Sequence, residues 1–127
     1  MSKNTSESSE NYLETILILS KKRPVVRSVD VANELDFKKS SVSVAMKNLR
    51  QAGYISMDGN GAITLEPPGY EIANRIYQRH KLLTRILAAL GVDEETAAQD
   101  ACKIEHDLSP ETFEKLRAYA EAHLPPE

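Results

Sequence analysis

The sequence predicts a mainly α-helical chain, an N-terminal winged helix-turn-helix followed by a helical domain. Three observations carry this. Three short segments with helical apolar spacing come first, the third of them basic. Two β-type runs then flank Asp58-Gly59-Asn60-Gly61, whose Asp-Gly and Asn-Gly steps are hairpin-turn chemistry. Beyond Pro67-Pro68-Gly69 only the helical period remains. The expected domains are residues 1–66 and 67–127.

Helix one is expected from about Ser6 to Lys22. Tyr12, Leu13, Ile16, Leu17 and Leu19 fall at helical spacing, with serines ahead of them as caps. Ser28 reads as the N-cap of a short second helix whose inner face is Val29, Ala32 and Leu35. After the turn Asp36-Phe37-Lys38-Lys39, Ser40 or Ser41 reads as the cap of a third helix, with Val42, Ala45, Met46 and Leu49 inward. Gly53 suits the left-handed position that ends a helix. The strands are Tyr54-Ile55-Ser56-Met57 and Ala62-Ile63-Thr64-Leu65. A fourth, long helix carries Ile72, Ile76, Leu83, Ile86, Leu87 and Leu90 and stops at Gly91. Asp93 caps a fifth, expected from Glu94 to about Asp107. Ser109-Pro110-Glu111 starts a sixth, with Ser as cap and Pro at the first helical position, ending near His123.

Composition bounds the function. Apolar residues are 41% and charged residues 28% of the 127, as in soluble globular proteins. No apolar run is long enough for a membrane span, and the polar N-terminus lacks a signal-peptide core. One cysteine permits no internal disulfide, so a reducing cytoplasm is expected. The net charge of −3 hides an asymmetry: residues 1–65 carry nine Lys/Arg against seven Asp/Glu, and residues 66–127 seven against twelve. Lys21, Lys22, Arg23 and Arg27 form one basic cluster, and Lys38, Lys39, Lys47 and Arg50 another. Basic residues gathered on one face let a mildly acidic protein bind DNA; scattered lysines merely aid solubility. A three-helix interaction module without DNA is the alternative to the winged reading.

On the predicted third helix, Ser40, Ser41, Ser43 and Val44 are placed to face base edges. Lys38, Lys39, Lys47 and Arg50 are placed to meet phosphates, though Arg50 equally suits a solvated helix back. The wing tip Gly59-Asn60-Gly61 carries no basic residue.

Cys102, Glu105 and His106 follow an i, i+3, i+4 spacing, which puts a thiolate, a carboxylate and an imidazole on one helical stripe. Either a cation joins them, or Cys102 is a small core residue and the other two a solvated edge. No oxyanion-hole loop, phosphate cradle or second acid/base pair supports an enzyme or a small organic substrate.

Several segments, in order, resemble the DtxR/MntR family of metal-dependent bacterial repressors. Glu10-Asn11-Tyr12-Leu13-Glu14-Thr15-Ile16 resembles that family's first helix, and Tyr77-Gln78-Arg79-His80-Lys81-Leu82-Leu83 its linking helix. Gly91-Val92-Asp93-Glu94-Glu95 followed by Cys102-Lys103-Ile104-Glu105-His106-Asp107-Leu108-Ser109 resembles its ligand-bearing helix. The resemblance covers nearly the whole chain. It implies a homodimer that binds double-stranded DNA, no membrane partner, and a dimer interface on the fourth and fifth helices, with Leu87, Ala88, Ala89 and Leu90 as candidates. It implies metal ligands at Glu14, His80, Cys102, Glu105 and His106. Asn11 stands where members place Met or Asp, a weaker ligand than a carboxylate. Thr84 replaces an acid of the iron-sensing branch. The chain also ends without the SH3-like domain of many iron-sensing members, resembling the short manganese-sensing branch. The soft Cys102 favours Fe²⁺, with Mn²⁺ next and Zn²⁺ or Co²⁺ able to bind in vitro.

Overall fold

The computed structural model describes residues 6–125. Among these residues the chain forms helices α1 (Glu7–Lys22), α2 (Ser28–Leu35) and α3 (Lys39–Gln51). Strands β1 (Ile55–Met57) and β2 (Ile63–Leu65) follow, then α4 (Pro67–Ala89), α5 (Glu94–Ile104) and α6 (Pro110–His123). They make two compact units, one ending at Arg75 and the other starting at Ile76, both within α4.

In the first unit α1, α2 and α3 pack on one another, and the hairpin rests on α1 and α3. Leu13, Ile16, Val31, Val42, Met46 and Ile55 are almost completely buried. Each such side chain contributes about 1.5–3 kcal/mol of transfer free energy. The strands are antiparallel, with Ile55 opposite Leu65 and Met57 opposite Ile63. Val26 extends the hairpin, its carbonyl accepting from the Ile63 N–H at 2.8 Å. The start of α4 belongs to this unit for two reasons. Arg75 pairs with Glu10 of α1 at 3.3 Å. Gly69 lies so close to the Tyr54 carbonyl that a Cβ would collide with it.

The second unit holds the rest of α4 with α5 and α6. Its fully buried residues include Ala97, Ala101 and Ala120, side chains small enough to let backbones approach closely. Asp93 caps α5 by accepting from Glu95 and Thr96, and Ser109 caps α6 by accepting from Thr112. Gly91 ends the long helix with φ at +101°, as its position predicts.

Three helix boundaries differ from the sequence reading. Ser28 is the first residue of α2 rather than its cap; Arg27 occupies that position, and its N–H donates to the Asp30 carboxylate at 2.9 Å. Neither Ser40 nor Ser41 caps α3. The helix starts at Lys39 behind Lys38, which makes no side-chain capping bond. Asp36 supplies the turn instead, at φ +59°, a left-handed conformation that a short polar side chain tolerates. Finally, α5 stops at Ile104 instead of continuing to Asp107. The Asp107 N–H turns back to the Ile104 carbonyl, three residues away, and α6 opens immediately afterwards. Glu105 is therefore a helix cap, and His106 lies beyond the helix.

Candidate metal centre and nucleic-acid interface

The second unit brings one carboxylate between two imidazoles. Glu105 is completely buried. Its Oε1 is 2.8 Å from His80 Nδ1, and its Oε2 is 3.5 Å from His106 Nε2. His80 comes from the middle of α4 and keeps 27% side-chain exposure, while the His106 side chain is only 2% exposed. Glu105 Oε2 accepts no hydrogen bond from any described residue. A buried carboxylate oxygen in that condition is costly, because its desolvation is not offset. Borderline nitrogen donors around a hard oxygen suit a first-row divalent ion. The residues therefore fit the kind of ion that their types imply.

Cys102 departs from this cluster in environment. Its residue is exposed, whereas Glu105 three positions later is buried. Glu105 keeps helical backbone angles as the cap of α5, and the chain turns only at His106 and Asp107 beyond it. In the first unit, Glu14 is buried on α1, and Asn11 is half-buried one turn earlier. Glu14 is one of two acids buried on α1, the other being Glu10.

The first unit also presents a solvent face on α3. Val42, Met46 and Leu49 turn inward, and Lys38, Lys39, Ser40, Ser41, Ser43, Val44, Lys47 and Arg50 are all exposed. Val44 keeps 59% exposure, conspicuous for an apolar residue beside serines. Sequence reasoning missed the role of Arg27. Grouped in the sequence with Arg23, it instead reaches the wing, where its Nε donates to the Asn60 carbonyl at 3.0 Å. Arg23 pairs with Asp30 at 2.7 Å. Asp58 shapes the same turn by accepting from the N–H groups of Asn60 and Ala62, at 2.8 and 2.9 Å. Those bonds, chiefly the one from Ala62, hold its carboxyl below the ordinary range. No sequence signal short of the folded hairpin links Arg27 to Asn60.

A helix-turn-helix with an exposed basic third helix, and a second unit with a carboxylate–imidazole cluster, define a class: DNA-reading regulators that respond to a metal. Comparisons with known proteins agree. Residues 4–63 match the iron dependent repressor N-terminal DNA binding domain, and residues 66–123 match the iron dependent repressor metal binding and dimerisation domain. The chain is 39% identical over 119 residues to an HTH-type transcriptional regulator of Methanocaldococcus jannaschii, covering 91% of this chain and 94% of that protein. It is 34% identical over 109 residues to the transcriptional regulator MntR of Lysinibacillus sphaericus, covering 86% and 78%. Among solved structures, a manganese-dependent transcriptional repressor in complex with manganese matches with a TM-score of 0.82 at 23% identity, over 89% of this chain and 52% of that one. The T. acidophilum IdeR structure gives 0.80 at 23% identity, over 95% and 56%. This chain thus spans about half the length of those two solved structures. The chain belongs to the iron-dependent repressor (DtxR/MntR) family, whose members are transcriptional regulators and not enzymes. No helix among the described residues is long and apolar enough to cross a membrane.

Proposed function

We propose that this metal-dependent regulator represses transcription as a homodimer that binds a palindromic operator when loaded with Mn²⁺ or Fe²⁺. It would do so in the cytoplasm, which a lone thiol also suits. The observation that carries the reading is the completely buried Glu105 carboxylate, held between His80 and His106 with one oxygen accepting no hydrogen bond. Bound there, a divalent ion supplies the positive charge that lets clustered carboxylates stay ionised away from water. Glu105, His80 and His106 would hold it, with Glu14 and Asn11 of α1 and Cys102 of α5 as the further donors.

Glu14 ties the mechanism to DNA. It lies on α1, the helix that packs against α2 and α3 of the reading unit. In the proposed site the Glu14 and Glu105 carboxylates would oppose each other's approach unless a cation joined them. With it, the two helices are free to share one site, which fixes the recognition helices for a two-fold operator. Metal and DNA affinities are then reciprocally linked, typically by about 1–3 kcal/mol. Lys38, Lys39, Lys47 and Arg50 meet phosphates, and Ser40, Ser41, Ser43 and Val44 face bases. Leu90, 76% exposed at the end of α4, is the best dimer contact among the four candidates there.

The buried donors are oxygen and nitrogen, and the soft thiol is exposed. This shifts the metal preference from Fe²⁺, which rested on Cys102, toward Mn²⁺. Relatives bearing the name MntR support the same shift. Anaerobic operator titrations with Mn²⁺, Fe²⁺ and Zn²⁺, repeated on Cys102→Ser, test both parts. Operator affinity that ignores all three ions would remove the sensor role. A metal-independent regulator, favoured by Asn11 at a ligand position, would then stand.

A further inference from the structure

One buried cation takes no part in the proposed ligand set. Arg79, next to His80 on α4, is 6% exposed. Its Nη1 donates to the Glu105 carbonyl at 3.1 Å and to the Leu108 carbonyl at 2.7 Å. Its guanidinium carbon lies 5.5 Å from the centre of the Phe113 ring, on α6. The two carbonyls bracket the connection from α5 to α6. The Glu105 carbonyl belongs to the last turn of a helix, where carbonyls lack intrahelical partners and cations are favoured. Arg79 and His80 therefore hold the same residue at two ends: Arg79 its backbone, His80 its carboxylate.

We infer that Arg79 is a positioning residue of the metal centre. It fixes the backbone of residues 105–108, so that the Glu105 carboxylate and the His106 ring are presented at set positions before any ion arrives. The need follows from where α5 ends. Glu105 is its cap, its N–H still bonded to the Ala101 carbonyl, but its own carbonyl stands at the helix end, and His106 lies beyond the helix. A turn carrying two donors binds more weakly if it must be ordered on binding. A guanidinium that bridges both carbonyls removes much of that cost. A lysine ammonium has donors for both carbonyls but lacks the planar, preorganised fork and the flat face that rests on Phe113. The inference depends on the proposed metal site, and the experiment is arranged so that the two fail separately.

Arg79→Met and Arg79→Lys are compared with the wild-type chain in two assays. Amide exchange on the metal-free proteins reads the turn directly. Faster exchange across residues 105–109 in both variants, with α1–α3 unchanged, is the expected result. Isothermal titration with Mn²⁺, together with the visible spectrum of the Co²⁺ form, reads the site. Removing an outer partner of a metal ligand typically weakens binding 10–100-fold. A weakening of that size is expected for Arg79→Met, with a smaller one for Arg79→Lys and an altered Co²⁺ spectrum in both. If Arg79→Met does not fold, Arg79→Lys decides alone. Folded Arg79→Lys with wild-type exchange, Mn²⁺ affinity and Co²⁺ spectrum overturns the inference. Wild-type protein that takes up neither ion ends the metal reading, and the exchange result then judges Arg79 as an organiser of the turn only.

Discussion

The two units differ in the groups they bury completely. The first is closed by large, almost completely buried apolar side chains, among them Leu13, Ile16, Val31, Met46 and Ile55, with its acids Glu10 and Glu14 slightly less buried. In the second, Ile76, Ala97, Ala101 and Ala120 are completely buried, and so is the Glu105 carboxylate, with the Arg79 guanidinium largely buried as well. Buried ionic groups rarely stabilise a fold over well-packed apolar residues. The contrast teaches where the chain can sense: the reading unit is closed by its own apolar core, and the second unit is poised for a ligand that completes its charges.

The largest effect should come from breaking the apolar unit. Ile16→Ala removes a completely buried side chain from α1, at an expected cost of about 2–5 kcal/mol in chemical denaturation, metal or no metal. If Mn²⁺ shrank the difference between that variant and wild type, the contrast between the units would be wrong. Glu105→Gln probes the other side. Its metal-free melting temperature should not fall, because an amide is easier to bury than a carboxylate. Stabilisation by Mn²⁺, about 2.7 kcal/mol for wild type at a hundred times Kd, should vanish. If His80 and His106 hold the ion as proposed, wild-type Mn²⁺ affinity should also fall on acidification, because metal binding to imidazole competes with protons.

Smaller effects belong to the DNA face. Charge reversal at Lys39 should leave stability and metal binding untouched and weaken binding to all DNA sequences. The salt slope should flatten by about 1 for each phosphate that is no longer neutralised. An unaltered slope would take Lys39 out of the interface. Smallest of all is Asp58. Its carboxyl titrates lower in the folded wing than in the unfolded chain. Its bonds therefore help the wing at all pH above the ordinary carboxylate value, and that help disappears as pH falls through the depressed one. Asp58→Asn should remove this acid-side slope, read as the pH dependence of the melting temperature, with little change near neutrality.

Much of the fold was legible in the residues because the signals were local. Helical spacing, Asp93 and Ser109 caps, Gly53 and Gly91 stops and the Asp-Gly/Asn-Gly turn each act within a few positions, and the element order follows from them. Local reading failed where a longer reach prevailed. Ser40 looks like a cap, but α3 already starts at Lys39, behind Lys38, which makes no side-chain capping bond. The Cys102 triplet looks like one stripe, but Cys102 is exposed and Glu105 buried, and His106 lies beyond α5, where Arg79, a residue 26 positions from Glu105, grips the turn. Arg27 on the Asn60 carbonyl, 33 positions away, was invisible for the same reason. The candidate ligands came from the resemblance to the family; the burial that separates Glu105 from Cys102 is seen only in the fold.

The most direct test is an anaerobic anisotropy titration of operator DNA with wild type and Glu105→Gln, each with and without Mn²⁺. The account predicts that the ion tightens wild-type binding about 5–150-fold and leaves Glu105→Gln at the metal-free level. Equal tightening of both proteins would contradict it.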